Sequence, residues 1–378
     1  MRTRTFGPAT ALGLATALLA APLSGQATVG VSVDFMGFSF DDGLGASAAQ
    51  LFMMPVAVRV PLGDAFTLDL YSAWAQGKVE RDDVEFNLQG VVDTRIKASY
   101  QATPWALLGL GVTLPTGNST HDGEEAVVAS VLATDLLGFR EATWGTGFQV
   151  TSSVATALRA GQFGIGIAGA YSVNGEFEPS TELDLRYQPG NESRIRIGID
   201  RNIGTNTFTA GATFMAYAED QADGINLFQS GNRMRFDATY AFRAGAGVWT
   251  LYAADLWRET GDLTLSLVDN TGAVLGDTTL VTASQNLLVA GVVGTIALGA
   301  YQFRPQVDFK LQQREEADGR NEGSGWVLAT GGDFPLRLFN QYDFFPKARV
   351  LFGSVKDPTG VGRGVFGAEF TGTLRWSF

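Results

Sequence analysis

The chain has 378 residues, 27 basic and 39 acidic side chains, one histidine and no cysteine. Its formal charge of −12 excludes the basic face that nucleic-acid binding needs, so no nucleic-acid partner is expected. The lack of thiols excludes a disulfide-stapled fold. Hydrophobic residues make up 45% of the chain, yet its longest apolar run, Leu287 to Ala300, has 14 residues. A membrane helix needs about 20. With 47 glycines and 11% aromatics, the composition fits membrane-spanning strands better than helices.

In chain order, Arg2 and Arg4 precede an apolar stretch from Ala9 to Ala21, followed by Pro22, Ser24, Gly25 and Ala27. A basic start, a short apolar core and a small-residue exit predict a signal peptide over residues 1–27, cleaved near Gly25 or Ala27. Its removal takes away two arginines and no acid, which deepens the negative charge. Strands are expected almost at once, with Val29, Val31, Val33 and Phe35 alternating, so residues 28–378 are expected to form a single domain with no N-terminal plug.

Period-two alternation then recurs in segments of about ten residues. Phe66, Leu68, Leu70 and Trp74 share a face. Leu183, Leu185 and Tyr187 alternate with Glu182, Asp184 and Arg186, and Ile195, Ile197 and Ile199 alternate with Arg194, Arg196 and Asp200. Met234, Phe236, Ala238 and Tyr240 alternate with Arg233, Arg235, Asp237 and Thr239. Phe303, Val307, Phe309 and Leu311 alternate with Arg304, Asp308, Lys310 and Gln312. Pro305 lacks a ladder donor and is expected near a strand end or at a bulge. A soluble sandwich also alternates, but its strands are typically about 5–6 residues long. The expected fold is therefore all-β: a transmembrane antiparallel up-and-down β-barrel.

Short turns are predicted at Pro61–Asp64, Ala102–Trp105, Leu158–Gln162, Ala244–Gly247 and Leu298–Ala300. Longer polar segments fall at Thr116–Glu125, Ala218–Asn232, Glu259–Ser284 and Glu315–Gly325. About seventeen candidate strands emerge. Single-chain bacterial barrels have even numbers, and assigning turns to sides from each end produces a conflict between Val173 and Thr207. About 16 strands are expected, with 14 the next choice.

The final segment is the most specific. Phe366, Phe370, Leu374, Trp376 and Phe378 alternate with Glu369, Thr371, Thr373, Arg375 and Ser377. A terminal Phe with apolar residues at every second position upstream resembles the sorting signal of bacterial outer-membrane β-barrels. The resemblance implies location in the outer membrane, contact with its lipid and lipopolysaccharide, and recognition by the barrel-assembly machinery through Phe370, Leu374, Trp376 and Phe378. A lesser resemblance lies in Gly109-Leu110-Gly111-Val112-Thr113-Leu114-Pro115-Thr116-Gly117, echoed at Asp357-Pro358-Thr359-Gly360. It is similar to a strand-to-loop segment of outer-membrane transport barrels of the phenol-degradation type.

No enzyme is expected. The only histidine, His121, lies in a predicted outer loop beside Asp122, with no serine at a recognisable spacing. No cofactor, metal or nucleotide motif appears. With the apolar face in lipid, the lumen lining is expected to comprise Arg95, Lys97, Asp184, Arg186, Arg194, Arg196, Arg233, Arg235, Asp237, Arg304, Asp308, Lys310, Glu369 and Arg375, with Asp93 and Glu182 beside them. Glu124–Leu137 is apolar within a loop region and is either a lumen constriction or part of a strand. The expected function is a channel passing small solutes through a charge-lined lumen. The alternatives are transport of hydrophobic compounds, or a surface-binding barrel acting through its acidic loops.

Overall fold

The computed structural model describes residues 27–378, except Ala142, Ala246, residues 269–273, Ala300, Ala317, residues 339–341 and Phe378; the side chains of residues 265–277 are also outside the description. The expected signal segment, apart from Ala27, and the terminal Phe378 therefore lie outside the described residues.

Sixteen antiparallel strands close on themselves. The wall opens with β1 (Thr28–Phe40), β2 (Ala48–Leu62) and β3 (Phe66–Arg81). The fourth wall strand comes in two pieces, β4 (Val84–Val91) and β5 (Thr94–Thr103), and both pair with β3. Next come β6 (Ala106–Leu114), β7 (Gln149–Ala160) and β8 (Phe163–Asn174). A two-residue strand, β9 (Tyr187–Gln188), precedes the wall strands β10 (Glu192–Ile203) and β11 (Asn206–Tyr217). Two loop strands, β12 (Glu219–Ala222) and β13 (Ile225–Gln229), lead to β14 (Arg233–Ala244) and β15 (Gly247–Arg258). After β16 (Asp262–Val268) and β17 (Val274–Val281), the wall resumes with β18 (Ser284–Leu298) and β19 (Tyr301–Glu315). It ends with β20 (Gly325–Asp333) and its continuation β21 (Leu336–Leu338), then β22 (Tyr342–Lys356) and β23 (Gly362–Ser377). Because β1 pairs with both β2 and β23, no edge strand is left and every wall strand has two neighbours.

Directly opposed residues of antiparallel strands share a face, so the ladders fix which side chains point out. Phe35 opposes Phe370, Ile197 opposes both Ile167 and Ala212, and Phe366 opposes Phe352; all of these face outward. Exposed Ile195, Leu110, Val154, Phe236 and Phe370 belong to the same outer belt. Phe52 packs on Trp74, and Trp326 on Phe309 and Phe352, toward one rim. Trp105, Tyr301 and Tyr342 lie at the other. An apolar belt with aromatic edges is the lipid face of an outer-membrane barrel.

The turns that join β2–β3, β5–β6, β7–β8, β10–β11, β14–β15 and β18–β19 are all short and lie at one end, the periplasmic one. The long connections lie at the other end. There β9, β12, β13, β16 and β17 form a separate five-stranded sheet from three outer loops.

Two sequence expectations need correction. The alternation around Leu183 is not a wall strand, because β8 and β10 pair directly from Phe163↔Arg201 to Ser172↔Glu192 and leave no ladder position between them. Glu182, Asp184 and Arg186 therefore lie in the outer loop, not on the wall, and removing this strand restores an even number. Pro305 is at neither a strand end nor a bulge: it is the fifth of 15 residues in β19. The register to β18 is unchanged across it, and the ladder skips only the pairs between Val293↔Gln306 and Ile296↔Phe303. Its missing N–H accounts for the local gap.

Candidate functional site

The β6–β7 connection does not stay outside. Its helix α1 (Gly123–Leu132) starts with a capping box, in which Glu125 N–H donates to Asp122 Oδ1 at 2.8 Å and Asp122 N–H donates to Glu125 Oε2 at 3.4 Å. The helix presents Val128 and Leu132, one turn apart, to the inner wall. With Leu136, Leu137, Phe139 and Trp144 they join a buried cluster with Met36, Phe38, Leu51, Met53, Val79 and Leu351 of the wall. Fully burying each such side chain contributes roughly 1.5–3 kcal/mol, so the docked position is strongly favoured. Gly77 makes the close approach possible, since a Cβ there would stand 2.6 Å from Leu132 Cδ1. Of the two readings left open for Glu124–Leu137, the strand is excluded: the segment folds inward against the wall.

The turn that sends this segment inward is Pro115-Thr116-Gly117. A side chain at Gly117 would strike the Trp144 carbonyl oxygen at 1.9 Å. Asp93, in the bulge between β4 and β5, ties both ends of the segment. Its Oδ1 accepts from Gly117 N–H at 2.9 Å and its Oδ2 from Thr146 N–H at 2.7 Å. Beyond the turn, the Trp144 indole N–H donates to the Ala75 carbonyl at 3.0 Å.

Charged contacts hold the segment's middle. Arg140 reaches Asp34 Oδ2 at 2.7 Å and Glu369 Oε1 at 3.6 Å. Glu141 accepts from Arg95 at 3.2 Å. Asp135 accepts from Gln285 Nε2 at 2.8 Å. Behind Arg140, Arg349 pairs with Asp308 and Glu369, and Lys347 lies 2.8 Å from Glu369. The segment therefore covers the inner wall from β1 to β4 and from β18 to β23.

The stretch of wall from β7 to β15 keeps an inward face that the segment does not cover. Ladder register places Arg194, Met215, Arg233, Arg258 and Gln285 in one row across β10, β11, β14, β15 and β18. The next row holds Arg196, Thr213, Arg235 and Leu256. Arg196 pairs with Asp237 at 2.7 Å, and Arg194 lies close to Glu192 on its own strand.

Of the side chains expected in the lumen, Arg95, Lys97, Arg194, Arg196, Arg233, Arg235, Asp237, Arg304, Asp308, Lys310, Glu369 and Arg375 lie on the inward face. Asp308, Lys310 and Glu369 lie against the inward segment or its anchors, while Arg304 and Arg375 pair with Asp333 and Asp343 toward the periplasmic end. Sequence reasoning missed Arg140, Glu141 and Asp34. The first two sit in a loop, where no periodicity marks a lumen-facing residue. Arg258 and Arg349 were also missed, although each follows an outward residue on an alternating strand, so the signal was present. His121 lies in the outer part of the connection, its Nδ1 3.7 Å from Glu125 Oε2.

No protein-family model matches the chain, and no curated protein matches it. Solved structures do. CdiB from Acinetobacter baumannii superposes with a TM-score of 0.52 at 10% identity, over 93% of this chain and 60% of that one. This chain thus spans less than two thirds of CdiB's length. OccK5 (OpdH) of Pseudomonas aeruginosa superposes with a TM-score of 0.51 at 11% identity, over 95% of this chain and 100% of that one. At such identity the likeness is one of fold. Together with the closed wall, its lipid-facing belt and its one-sided short turns, it makes this chain a sixteen-stranded bacterial outer-membrane β-barrel protein.

Proposed function

We propose that the barrel is a channel through which small polar solutes cross the outer membrane by diffusion. The observation that carries this reading is the division of the inner wall. The inward segment lines one side with apolar and ion-paired contacts, while the wall from β7 to β15 presents arginines, threonines and carboxylates. Width is set by the segment, and selection by the charges opposite it. A polar cavity of about 180 Å³, lined by Asp93, Arg95, Thr113, Thr143 and Gln149, lies beside the segment's exit. The lining residues act by charge and hydrogen bonding, with no catalytic step. Contact with lipopolysaccharide at the outer loops and recognition of the Phe370–Phe378 end by the assembly machinery belong to the same proposal.

Planar-bilayer conductance of the folded barrel tests it. Discrete openings that enlarge when residues 124–137 are deleted are expected. A verified folded barrel that conducts in neither form overturns the channel.

One observation favours transport of hydrophobic compounds instead. A groove of about 740 Å³ in the outward wall is lined by Val33, Phe35, Phe303, Phe334 and Phe370, beside the ladder gap at Pro305. Uptake of an apolar compound that depends on this groove, without ionic conductance, supports that second reading.

A further inference from the structure

We infer that Arg233 and Arg258 form a binding site for a compact oxyanion, a carboxylate or a phosphate, at the outer mouth of the lumen. The inference rests on the channel reading and names its solute class.

Arg233 is the first residue of β14 and Arg258 the last of β15, and the two are direct cross-strand partners. Like charges opposed in this way destabilise a sheet. Three other arginines of the inward face have acids: Arg196 has Asp237, Arg304 has Asp333 and Arg375 has Asp343. Among the described residues, this pair has no ion-pair partner. Arg258 instead donates to the neutral Gln285 Oε1 at 2.9 Å, and Gln285 is itself committed to Asp135. The Arg233 guanidinium lies over the Tyr217 ring at 5.0 Å, and its buried Nε has no hydrogen-bond partner. A buried donor without an acceptor costs about 1–3 kcal/mol. Tyr217 on one side and Gln285 on the other thus fix two guanidiniums of the same row on adjacent strands, in an arrangement that a bound anion would relieve.

Two planar guanidiniums present several N–H donors in forked pairs, which match the oxygens of a carboxylate or a phosphate. The side chains share the inward face with Gln285 and Arg235, so the anion comes from the aqueous lumen and not from a lipid headgroup on the outer wall. Placed where solutes first meet the lumen, such a site raises the local anion concentration ahead of the narrowing.

The test uses the full barrel folded in detergent, titrated calorimetrically with inorganic phosphate and separately with succinate. Binding of either by the wild type, weakened at least tenfold in Arg233→Gln/Arg258→Gln and unchanged in Arg59→Gln, which removes an arginine of β2 that is paired with Asp69, supports the site, and the two titrants distinguish phosphate from carboxylate solutes. Arg258→Gln alone removes the repulsion, so it is expected to melt at or above the wild-type temperature without anion and to lose the phosphate-induced rise in Tm. Equal binding by the double variant, or no binding of either anion by the wild type, overturns the inference. Neither readout requires conductance, so a conducting barrel without the site refutes only this inference, and an anion-binding barrel that never conducts refutes only the channel.

Discussion

The backbone N–H of Asp93 donates to the carbonyl of Trp144 at 2.9 Å, while the Asp93 carboxylate holds Thr146, two residues further on. A wall bulge and the end of a lumen segment are thereby joined by both backbone and side chain, and the same carboxylate also reaches Gly117 at the segment's start.

Replacing Asp93 with alanine leaves two backbone donors without acceptors. At about 1–3 kcal/mol for each buried unsatisfied group, the expected result is a lower melting temperature and larger, noisier single-channel openings. Asp93→Asn keeps one acceptor oxygen but turns an amide donor toward the other N–H, so an intermediate effect is expected. Bilayer recordings alongside thermal melts check both.

Gly77→Leu is expected to push α1 off the wall, because even a Cβ would lie 2.6 Å from Leu132 and 2.9 Å from Val128. Overpacking of this kind costs typically about 1–3 kcal/mol. The conductance of Gly77→Leu should approach that of the barrel lacking residues 124–137. Gly30→Ala, where a Cβ meets nothing within 4 Å, should behave as wild type.

The register of β23 makes a paired prediction. Phe370 opposes Phe35 on the outward face and lies near the strand's middle, whereas Thr371 opposes Asp34 on the inward face. An arginine facing lipid at the bilayer midplane costs about 2–4 kcal/mol. Phe370→Arg should therefore lower stability in a denaturant-unfolding assay much more than Thr371→Arg. Equal losses would contradict the register.

The β22–β23 loop has a pH prediction. The Asp357 carboxylate accepts from the Thr359 hydroxyl at 2.6 Å, from the Thr359 and Val361 N–H groups and from Arg363, and these contacts hold its pKa down at about 2. A depressed pKa contributes stability that is fully present above the unfolded value, about 3.9, and is lost as pH falls through the folded one. The loop's backbone amides should stay protected from hydrogen exchange at pH 4 and lose protection toward pH 2. Asp357→Asn should loosen the loop even at neutral pH.

Much of the wall was legible because alternation between lipid and water writes itself into every second residue. Ile195 against Arg196, and Phe370 against Glu369, mark their opposite faces in the sequence itself. Alternation alone did not reveal which runs find a partner: Leu183 to Tyr187 alternates well, yet β8 and β10 pair without it. The inward segment was half legible. Its apolar character from Ala126 to Leu132 set it apart from the other outer connections, which are polar. Its anchors were not, because Arg140 meets Asp34 across 106 residues of chain and loop residues follow no period.

Arg140 reaches Asp34 of β1 and Glu369 of β23, the first and last wall strands, which meet only when the cylinder closes. The clamp cannot form while that seam is open. Of its two carboxylate partners, one lies in the first wall strand and the other nine residues before Phe378. The narrowing therefore depends on the last step of assembly: a chain stalled before β23 zips onto β1 lacks half of the clamp that fixes its own aperture.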